Sequence, residues 1–522
     1  MRLSVGLLNL PCLVARKSLS FFEGAPPLGL AYLAGSLREA GYHPFVLDAL
    51  GEGAKRYSTF PCSKGELLLQ GYGVDEIVER IPTGLDVLGV GNLFLHELCF
   101  LQELLPRIKR KFPEMVLVLG GENATGMWDE ILRILPEVTG CIVGEGEEAF
   151  LRLLEVWENG EGLEKAPSFA YRINGVPHQN PKLGRIREID RIPWPAWDLF
   201  PVEQYLEAGI RSGVNRGRSL PLLTSRGCPF TCAFCSAPGM WGTEYMSRSP
   251  GKLLDEAQFL MRKYHVTNFD FRDLTAVLSK SWIRAFHAEV TARDVRFTWQ
   301  IPQGTRSESL DRETLRLLYE TGCRNFGYAL ESVSPHVITR MQKKVVPARL
   351  LASIREALRL PLQIEIFFII GYPSETLRDH LAYLRAVVHL AWMGAHSLGV
   401  MQFNPYPGSE DYFRFRAEGK IHFDDDDYVY SSLFRSVGQN RSTHSSFSPA
   451  YLSAFQFLCL IVFWAVQFAV RPWRLLRVAW NLLCSREESI LDQFLVVKTR
   501  QWLRLRKRSV APVALRADLS SR

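Results

Sequence analysis

Apolar runs of strand length alternate with segments of helical periodicity over the first third of the chain. The runs typical of buried strands are residues 3–8, 45–47, 87–90, 116–119 and 142–143. Residues 28–40, residues 98–112 and the segment from Glu148 repeat apolar positions at helical spacing instead. Strands separated by helices indicate a parallel sheet, whose ligands bind at the carboxyl ends of the strands. Glycines follow several of these strands, so the sequence places a candidate ligand-binding site at the carboxyl edge of the sheet.

The alternation fails at residues 192–197, where prolines and tryptophans predict a linker, and it resumes near Leu220. The later strand-like runs are residues 268–271, 297–301, 325–330, 364–370 and 398–403. They predict a second α/β domain, a partial (β/α) barrel with its active site at the carboxyl ends of the strands. The predicted organisation is a doubly wound parallel-sheet domain at 1–185, a linker at 186–219, the barrel at 220–420 and a helical region at 421–522.

Composition supports this division. A chain of 522 residues exceeds what one hydrophobic core usually organises, and 47% apolar with 22% charged residues is typical of a globular protein. The net charge of +7 is concentrated near the C-terminus, in Arg471, Arg474, Arg477, Arg500, Arg504, Arg506, Lys507 and Arg508. Scattered cysteines, and an N-terminus without the pattern of a signal peptide, lead us to expect a reducing, cytoplasmic setting.

Three of the ten cysteines lie in one loop, directly after a predicted strand at 222–224: Cys228, Cys232 and Cys235. Soft thiolates favour zinc or iron-sulfur clusters. A four-iron cluster normally takes four thiolates, so three would leave one iron open. The alternative is a zinc site completed by a distant ligand, such as a histidine or Cys323. A disulfide with one spare thiol fits a reducing compartment less well.

The spacing Cys-x3-Cys-x2-Cys, with Phe234 before the last cysteine, resembles the signature of the radical S-adenosylmethionine superfamily. Residues 328–332, 371–376 and 403–409 resemble later motifs of that superfamily, in the same order. The resemblance covers residues 1–420. It implies a [4Fe-4S] cluster whose open iron binds S-adenosylmethionine before reductive cleavage to a 5'-deoxyadenosyl radical, with the cofactors carrying the chemistry.

The resemblance also implies residues that bind S-adenosylmethionine. Glu331 and Ser332 are expected at its ribose or amino group, and Gly371 is expected to let the backbone approach it. The other residues carried over are Arg306, Pro373 and Glu375. Turn formation and strand capping remain the alternative for each.

A departure from the superfamily's pattern occurs at residues 270–274. Related enzymes commonly carry paired acids followed by an aromatic residue at this position. Asp273 is kept, and the sequence leaves its role open.

The first domain resembles the cobalamin-binding domain fused to many radical S-adenosylmethionine enzymes. The residues that carry this resemblance are Pro27, Gly29, Gly120, Gly121, Thr125, Gly144 and Glu145. They imply a glycine-lined strand edge that holds cobalamin by backbone contacts. The motif Asp-x-His-x-x-Gly is absent, since Asp48 is followed by Ala49, Leu50 and Gly51. Glycines that only turn the chain remain the alternative.

The C-terminal region is apolar and then basic. Residues 450–470 carry no charge, and their length reaches the roughly 20 residues of a membrane span. Basic and aromatic residues follow: Arg471, Trp473, Arg474, Trp480 and Trp502. This pattern is typical of a helix at a membrane surface. A hydrophobic helix that caps the barrel explains the same pattern equally well.

The sequence as a whole predicts a radical S-adenosylmethionine enzyme, with cobalamin-dependent methyl transfer to an unactivated atom as the leading hypothesis. The resemblance leaves open an oxidative cyclisation like that of the anaerobic magnesium-porphyrin ester cyclases, and a non-catalytic cluster or cobalamin sensor. We expect a small-molecule substrate, with lipid, terpenoid and porphyrin-like molecules as the candidate classes, and an electron donor such as flavodoxin or ferredoxin. No nucleic-acid partner is expected, because no basic RNA-binding module is evident.

Overall fold

In this computed structural model, the structure describes residues 2–15, 24–63, 65–306, 310–423, 426–431, 433, 446–496 and 498–499. The strands are β1 Val5–Asn9, β2 Cys12–Ala15, β3 Phe45–Asp48, β4 Tyr57–Cys62, β5 Gly65–Gln70, β6 Val87–Gly91, β7 Val116–Gly120, β8 Gly140–Ile142, β9 Phe169–Ile173, β10 Val176–Gln179, β11 Ser219–Leu222, β12 Ser225–Arg226, β13 Met246–Ser247, β14 Asn268–Phe271, β15 Thr298–Thr305, β16 Cys323–Glu331, β17 Gln363–Ile370 and β18 Ser397–Gln402.

The α-helices are α1 Leu28–Glu39, α2 Ala49–Glu52, α3 Val74–Arg80, α4 Leu98–Lys111, α5 Glu122–Gly126, α6 Trp128–Ile134, α7 Gly146–Glu158, α8 Val202–Ala208, α9 Ala237–Trp241, α10 Pro250–Tyr264, α11 Lys280–Ala292, α12 Arg312–Glu320, α13 Pro335–Arg340, α14 Pro347–Ala357, α15 Leu377–Met393, α16 Glu410–Ala417, α17 Asp426–Ser431, α18 Pro449–Val470 and α19 Pro472–Leu483.

The first sheet has seven strands in the order β10-β9-β8-β7-β6-β1-β3. Its strands from β8 to β3 are parallel, as predicted, and β9 and β10 add an antiparallel edge. The two faces of β1 belong to different cores: Leu7 packs with residues of α1 and α7, and Leu8 packs with residues of α3 and α4. Helices therefore cover both faces of the sheet, and this explains why its strands read as continuous apolar runs.

A second, three-stranded antiparallel sheet, β2-β5-β4, was missed by the sequence analysis. Strand β4 exposes the polar residues Ser58 and Thr59 and so lacks the apolar run that marks a buried strand, while β2 and β5 have apolar runs of only three or four residues. Pro61 lies within β4, which is an edge strand of this sheet, and a proline normally lowers the expectation of a strand.

The second domain is an open barrel of six parallel strands in the order β11-β14-β15-β16-β17-β18. The five later strands match the predicted runs to within a few residues. The first sheet ends at Gln179 and the barrel begins at Ser219. Between them Trp194 touches both neighbours, because its carbonyl packs on Gly35 of α1 and its ring lies 5.6 Å from Phe259 of α10.

Helix α18 is long and apolar enough to cross a membrane, but a third of its most apolar window (33%) is buried in the protein. The buried residues recur at helical spacing and pack toward α15 and β18: Leu452, Phe455, Cys459, Phe463 and Gln467. The helix thus caps the barrel along one face, whereas Phe457, Leu458 and Ile461 are exposed. Trp502 and the arginines from Arg500 onward lie outside the described residues.

Candidate functional site

The cysteine loop begins where β12 ends. Gly227 adopts φ +85°, and a Cβ there would collide with the carbonyl of Glu244, so only glycine fits this turn. Farther along, the backbone N–H of Ala233 donates to the carbonyl of Met341 (3.0 Å), and the carbonyl of Ala233 accepts from Asp411 (2.9 Å). The loop is therefore fixed at Ala233, between Cys232 and Cys235, by bonds to two separate segments.

Asp273 holds the strand that leads into the loop. Its buried carboxylate accepts from the Thr224 hydroxyl at 2.7 Å, from the Thr224 backbone N–H at 3.2 Å and from the Ser225 hydroxyl. Burial raises the pKa of Asp273, and these hydrogen bonds work against that rise. The acid whose role the sequence left open is thus a positioning residue for the approach to the cysteines.

The three thiols differ in their surroundings. Burial raises the pKa of Cys235 to about 12. Burial also raises the pKa values of Cys228 and Cys232, but the positive charges of Arg306 and Lys343 act in the opposite direction on both. Two cations therefore stand where thiolate charge would need compensation.

This donor set fits a cluster better than a single metal ion. Among the described residues, no three His, Cys, Asp or Glu side chains are placed to hold one ion together. Cys323, the fourth zinc ligand considered above, is fully buried at the start of β16, whereas Glu331 ends that strand about 26 Å away at 3.3 Å per residue. Three thiolates with nearby cations suit an iron-sulfur cluster that keeps one iron open.

Glu331 occupies a strained position at the carboxyl end of β16. It is a non-glycine residue at φ +61°, next to an irregularity in the pairing of β16 with β17. Its carboxylate accepts from the Nζ of Lys343 at 2.9 Å, and both side chains are largely buried (12% and 4% exposed). The sequence analysis missed Lys343, because it lies in an irregular segment after α13 with no motif around it.

Ser332 and Arg306 lie close to the same strand ends. Ser332 is fully buried, and its hydroxyl accepts from the backbone N–H of Ser334 at 3.2 Å. The guanidinium of Arg306 lies 3.5 Å from the centre of the Phe230 ring in the cysteine loop and donates to the carbonyl of Lys344. Arg306 thereby connects the end of the third long barrel strand to the cysteine loop.

Glu375 is turned into the protein. Its carboxylate accepts from the backbone N–H of Gly371 at 2.6 Å, from His380 at 3.1 Å and from the Tyr383 hydroxyl at 3.1 Å. Both oxygens are used, so Glu375 shapes the turn that contains the half-buried Pro373. Gly371 has φ +78°, and a Cβ there would lie 2.7 Å from Leu452 of α18. The capping helix thus closes over this turn.

Several glycines predicted for the first domain lie on the carboxyl edge of its sheet. Gly29 has open space where a Cβ would be, and Gly120 and Gly144 have neighbours only at 4.0 Å. Gly144 and Gly121 both have a positive φ (+98° and +119°), but Gly121 differs because a Cβ there would lie 2.6 Å from the Asn92 carbonyl. This open edge fits a flat ligand held by backbone contacts.

Three more of the predicted residues act within this edge. The Thr125 hydroxyl accepts from the Gly144 N–H at 3.0 Å and so ties two loops together. Pro27 is buried immediately before α1. Glu145 pairs with Arg185 at 2.7 Å and with Arg226 at 3.0 Å, so its carboxylate is committed to the protein.

Where the cobalamin motif would place a histidine, this chain has Leu50, which belongs to the hydrophobic core. Leu50 is buried against Tyr205 and Ile210. Asp48 accepts from Asn9 at 2.7 Å, from the Gly51 N–H at 2.9 Å and from Tyr205 at 2.8 Å. Burial raises the pKa of Asp48 to about 6, against the effect of these donors. This segment offers no lower ligand to cobalt.

The cysteine loop and the carboxyl edge of the first sheet face each other. The Ser236 hydroxyl, one residue after Cys235, donates to Glu122 of α5 at 2.7 Å. A Cβ at Gly126 would lie 2.5 Å from the carbonyl of Pro407, which belongs to the predicted closing segment. Phe234 packs, partly buried, on a hydrophobic cluster that contains residues of both domains. The residues predicted for two different cofactors are thus brought to one interface.

Two family models match the two domains. The model of the radical SAM superfamily matches residues 222–387, and the model of the B12 binding domain matches residues 20–154. The chain belongs to the radical SAM superfamily. It is an enzyme of the class that carries a cobalamin-binding domain, with a [4Fe-4S] cluster, S-adenosylmethionine and cobalamin as cofactors.

Named relatives and a solved structure agree with this assignment. The chain is 26% identical to an "uncharacterized methyltransferase" of Pyrococcus horikoshii, over 74% of this chain and 77% of that protein. It is 29% identical to cytidylyl-2-hydroxyethylphosphonate methyltransferase of Streptomyces wedmorensis, over 66% and 69%. The radical S-adenosylmethionine methyltransferase TsrM of Kitasatospora setae shares the fold, with a TM-score of 0.63, 15% identity and 89% of each chain covered.

The barrel of this radical SAM enzyme encloses a cavity of about 780 Å³, lined by polar and apolar side chains. The ring of Phe367 lies in its interior, where Gly304, Gly327 and Gly399 on three neighbouring strands leave room for it. From Phe367 to Gly371 the strand covers about 13 Å at 3.3 Å per residue. The cavity lies mostly at the amino ends of β16, β17 and β18, at Asn325, Gln363 and Ser397, so this stretch of strand separates it from the Gly371 turn.

Glu365 lines this cavity. Its side chain is half-buried, and the exposed part faces the cavity. Burial raises its pKa to about 7, with Ser397 as a weak hydrogen-bond donor. Since the pKa is raised in the folded protein, ionisation of Glu365 costs stability as the pH rises from about 4 to above 7.

We expect Glu365→Gln to stabilise the protein at pH 8 and to leave its stability at pH 4.5 unchanged. One pKa unit corresponds to about 1.4 kcal/mol, and with cavity water reducing the effect we expect about 1–2 kcal/mol at pH 8. Urea unfolding at the two pH values measures it, and the exposed Glu39→Gln serves as control. Equal stabilisation at both pH values would contradict the raised pKa of Glu365.

We expect Lys343→Met to weaken binding of S-adenosylmethionine about tenfold, because Glu331 loses its buried ammonium partner. Anaerobic equilibrium dialysis against the reconstituted protein measures the dissociation constant. The matched control is Lys344→Met, which removes the charge of the exposed neighbouring lysine. If both variants bound S-adenosylmethionine like the wild type, Lys343 would have no part in the site.

Proposed function

We propose that this radical SAM enzyme transfers a methyl group to an unactivated carbon or phosphorus atom of a small molecule, with cobalamin as the methyl carrier. The observation that carries the proposal is the packing of the cysteine loop on the open carboxyl edge of the first sheet, through Ser236, Glu122 and the Pro407–Gly126 contact. When bound, the cluster and S-adenosylmethionine supply radical chemistry and cobalamin supplies the methyl group.

Each part of this chain has a role in the proposal. Cys228, Cys232 and Cys235 hold the cluster, and Arg306 and Lys343 offset the charge of the thiolates. Glu331 accepts a hydrogen bond from S-adenosylmethionine, whose approach is shaped by Ser332, Gly371 and Pro373, with Glu375 holding the turn. Phe234 closes the loop against the hydrophobic cluster that contains residues of both domains.

The first domain is proposed to hold cobalamin along its open edge, at Gly29, Gly120 and Gly144, with Gly121 and Thr125 fixing the loops. Leu50 stands where a histidine ligand would come from, so this segment would supply no ligand to a bound cobalamin. Pro27 and Glu145 support this edge from within the protein.

The substrate is proposed to bind in the barrel cavity. Its volume of about 780 Å³ lies in the range of small-molecule sites. Glu365, Arg272 and Gln303 place polar groups beside Phe367 and Met401. This mixture favours a substrate with an apolar body and at least one hydrogen-bonding group, and a lipid, terpenoid or porphyrin-like class stays a prediction.

Two further partners are part of the proposal. A flavodoxin or ferredoxin in the cytoplasm would supply the electron that reductive cleavage needs. The exposed apolar side chains of α18 and α19 support a peripheral contact with the inner face of the membrane.

Anaerobic reconstitution tests the proposed reaction. Protein supplied with iron, sulfide, cobalamin, S-adenosylmethionine and a reductant is assayed for 5'-deoxyadenosine and S-adenosylhomocysteine by mass spectrometry. Methyl transfer predicts both products. Formation of 5'-deoxyadenosine alone would favour oxidative cyclisation or another rearrangement, and neither product from cluster-loaded protein would favour a sensor.

A further inference from the structure

Helix α19 turns an apolar face outward, whereas a surface helix of a soluble protein turns it toward the core. Its exposed residues recur at intervals of three and four and form one apolar face: Trp473 (62% exposed), Leu476 (72%), Trp480 (59%) and Leu483 (82%). A helix on a soluble domain turns such a face toward the core. Here the opposite side packs inward, where Val478 and Asn481 are buried.

The neighbouring helices extend this apolar surface. Helix α18 packs against both α15 and α19. Trp392 on α15 (64% exposed) and Ile461 on α18 (52%) remain open to solvent. Exposed apolar surface on this scale marks an interaction site.

A cationic cavity lies beside this surface. Its volume is about 340 Å³, and its lining includes Arg471, Arg474 and Arg477 together with His396. We call it the arginine pocket. Arg471 donates to the carbonyl of Trp392 at 2.9 Å and Arg474 donates to that of Gly394 at 3.1 Å. These carbonyls at the end of α15 carry no net charge, and no carboxylate lines the described pocket.

Arg477 and His396 add two further donors to the arginine pocket. The Nε of Arg477 is buried and has no hydrogen-bond partner in the described part of the chain. The Nδ1 of His396 accepts from the Ile364 N–H at 3.2 Å, which leaves the Nε2 as a donor. Burial, with the three arginines, lowers the pKa of His396 to about 3, and burial with Arg471 and Arg477 lowers that of Arg474 to about 10. An anion would relieve this repulsion.

We propose that the arginine pocket binds the phosphate of an anionic phospholipid while the apolar face of α19 lies in the surface of the bilayer. A phospholipid accounts for both features, because its phosphate meets guanidinium groups and its acyl region meets Trp473, Leu476 and Leu483. The proposal rests on the membrane contact proposed above and does not depend on methyl transfer.

Vesicle flotation of the full-length, cluster-loaded protein tests it, with phosphatidylglycerol vesicles compared with phosphatidylcholine vesicles at the same salt concentration. The wild type should prefer the anionic vesicles. Arg477→Gln should weaken that binding about fivefold, the effect of one lost cationic contact. The matched control is Arg486→Gln, which removes an exposed arginine outside the pocket and should change binding less than twofold.

Other outcomes would overturn the proposal. Equal binding to the two vesicle types, or equal losses in the two arginine variants, would leave only general membrane adhesion. Absence of vesicle binding, with Arg477-dependent stabilisation by inorganic phosphate, would assign the pocket to a free anion instead. Formation of 5'-deoxyadenosine by the same wild-type preparation reports separately on the proposed reaction.

Discussion

Serine at Cys232 is expected to abolish formation of 5'-deoxyadenosine and to remove most of the bound iron. The loop offers three thiolates for the cluster, and the described residues nearby provide no fourth soft ligand to take over. Cys232 is suited to this test because it is only partly buried, so serine is tolerated by the packing. Iron and sulfide content, visible absorbance and product mass spectrometry measure the result.

Cys484→Ser is the matched control, since Cys484 is exposed in the C-terminal helical region. It should keep the iron content and the product yield of the wild type. Retention of a full cluster by the Cys232 variant would show that the three cysteines are not its ligands. The same series at Cys228 and Cys235 should give the same loss.

Arg226→Met should destabilise the protein by about 3–5 kcal/mol, because it leaves the buried Glu147 without its ion-pair partner and Glu145 with Arg185 alone. Arg226 is 4% exposed and pairs with Glu145 at 3.0 Å and with Glu147 at 2.5 Å. Burial works to raise the pKa of Glu147, but the charge of Arg226 and the hydrogen bonds to the carboxylate together hold the pKa below its ordinary value. Urea unfolding at pH 7 measures the change.

An exposed ion pair of the same type provides the control. Arg187 pairs with Glu244 at 2.9 Å with both side chains largely open to water. Arg187→Met should cost about 0–1 kcal/mol. Equal unfolding midpoints for the Arg187 and Arg226 variants would mean that the buried pair between the domains adds nothing to stability.

The architecture was accessible from the sequence because its parallel strands are buried on both faces. Such strands read as continuous apolar runs, and those of β1, β6, β7 and the five later barrel strands were found. The first barrel strand was expected at 222–224 and lies at Ser219–Leu222. The β2-β5-β4 sheet was not predicted, because its strands are short and partly exposed. The helix of the Gly-Glu-Gly-Glu segment starts at Gly146, two residues before the predicted start, because a helix boundary depends on capping contacts.

The same distinction applies to the site, where residues in sequence motifs could be predicted and residues brought together only by the fold could not. The cysteines and Glu331 belong to motifs with fixed spacing, so sequence could name them. Lys343 reaches Glu331 only through the fold, and no local pattern marks it. Glu145 and Glu375 were expected at cofactors, whereas their carboxylates bind Arg226 and the Gly371 turn instead. An acidic side chain in a glycine-rich motif looks the same whether it faces a ligand or the protein.

The packing of the cysteine loop on the first sheet has a consequence for the order of events during synthesis. Domains near the N-terminus fold first on the ribosome, so the surface around Glu122 and Glu145 is complete before Cys228 leaves the exit tunnel. The loop then meets a finished docking surface and closes on it through Arg226 and Ser236. A cluster inserted during synthesis can therefore enter an open loop, whereas reconstitution of the purified protein begins from the docked state.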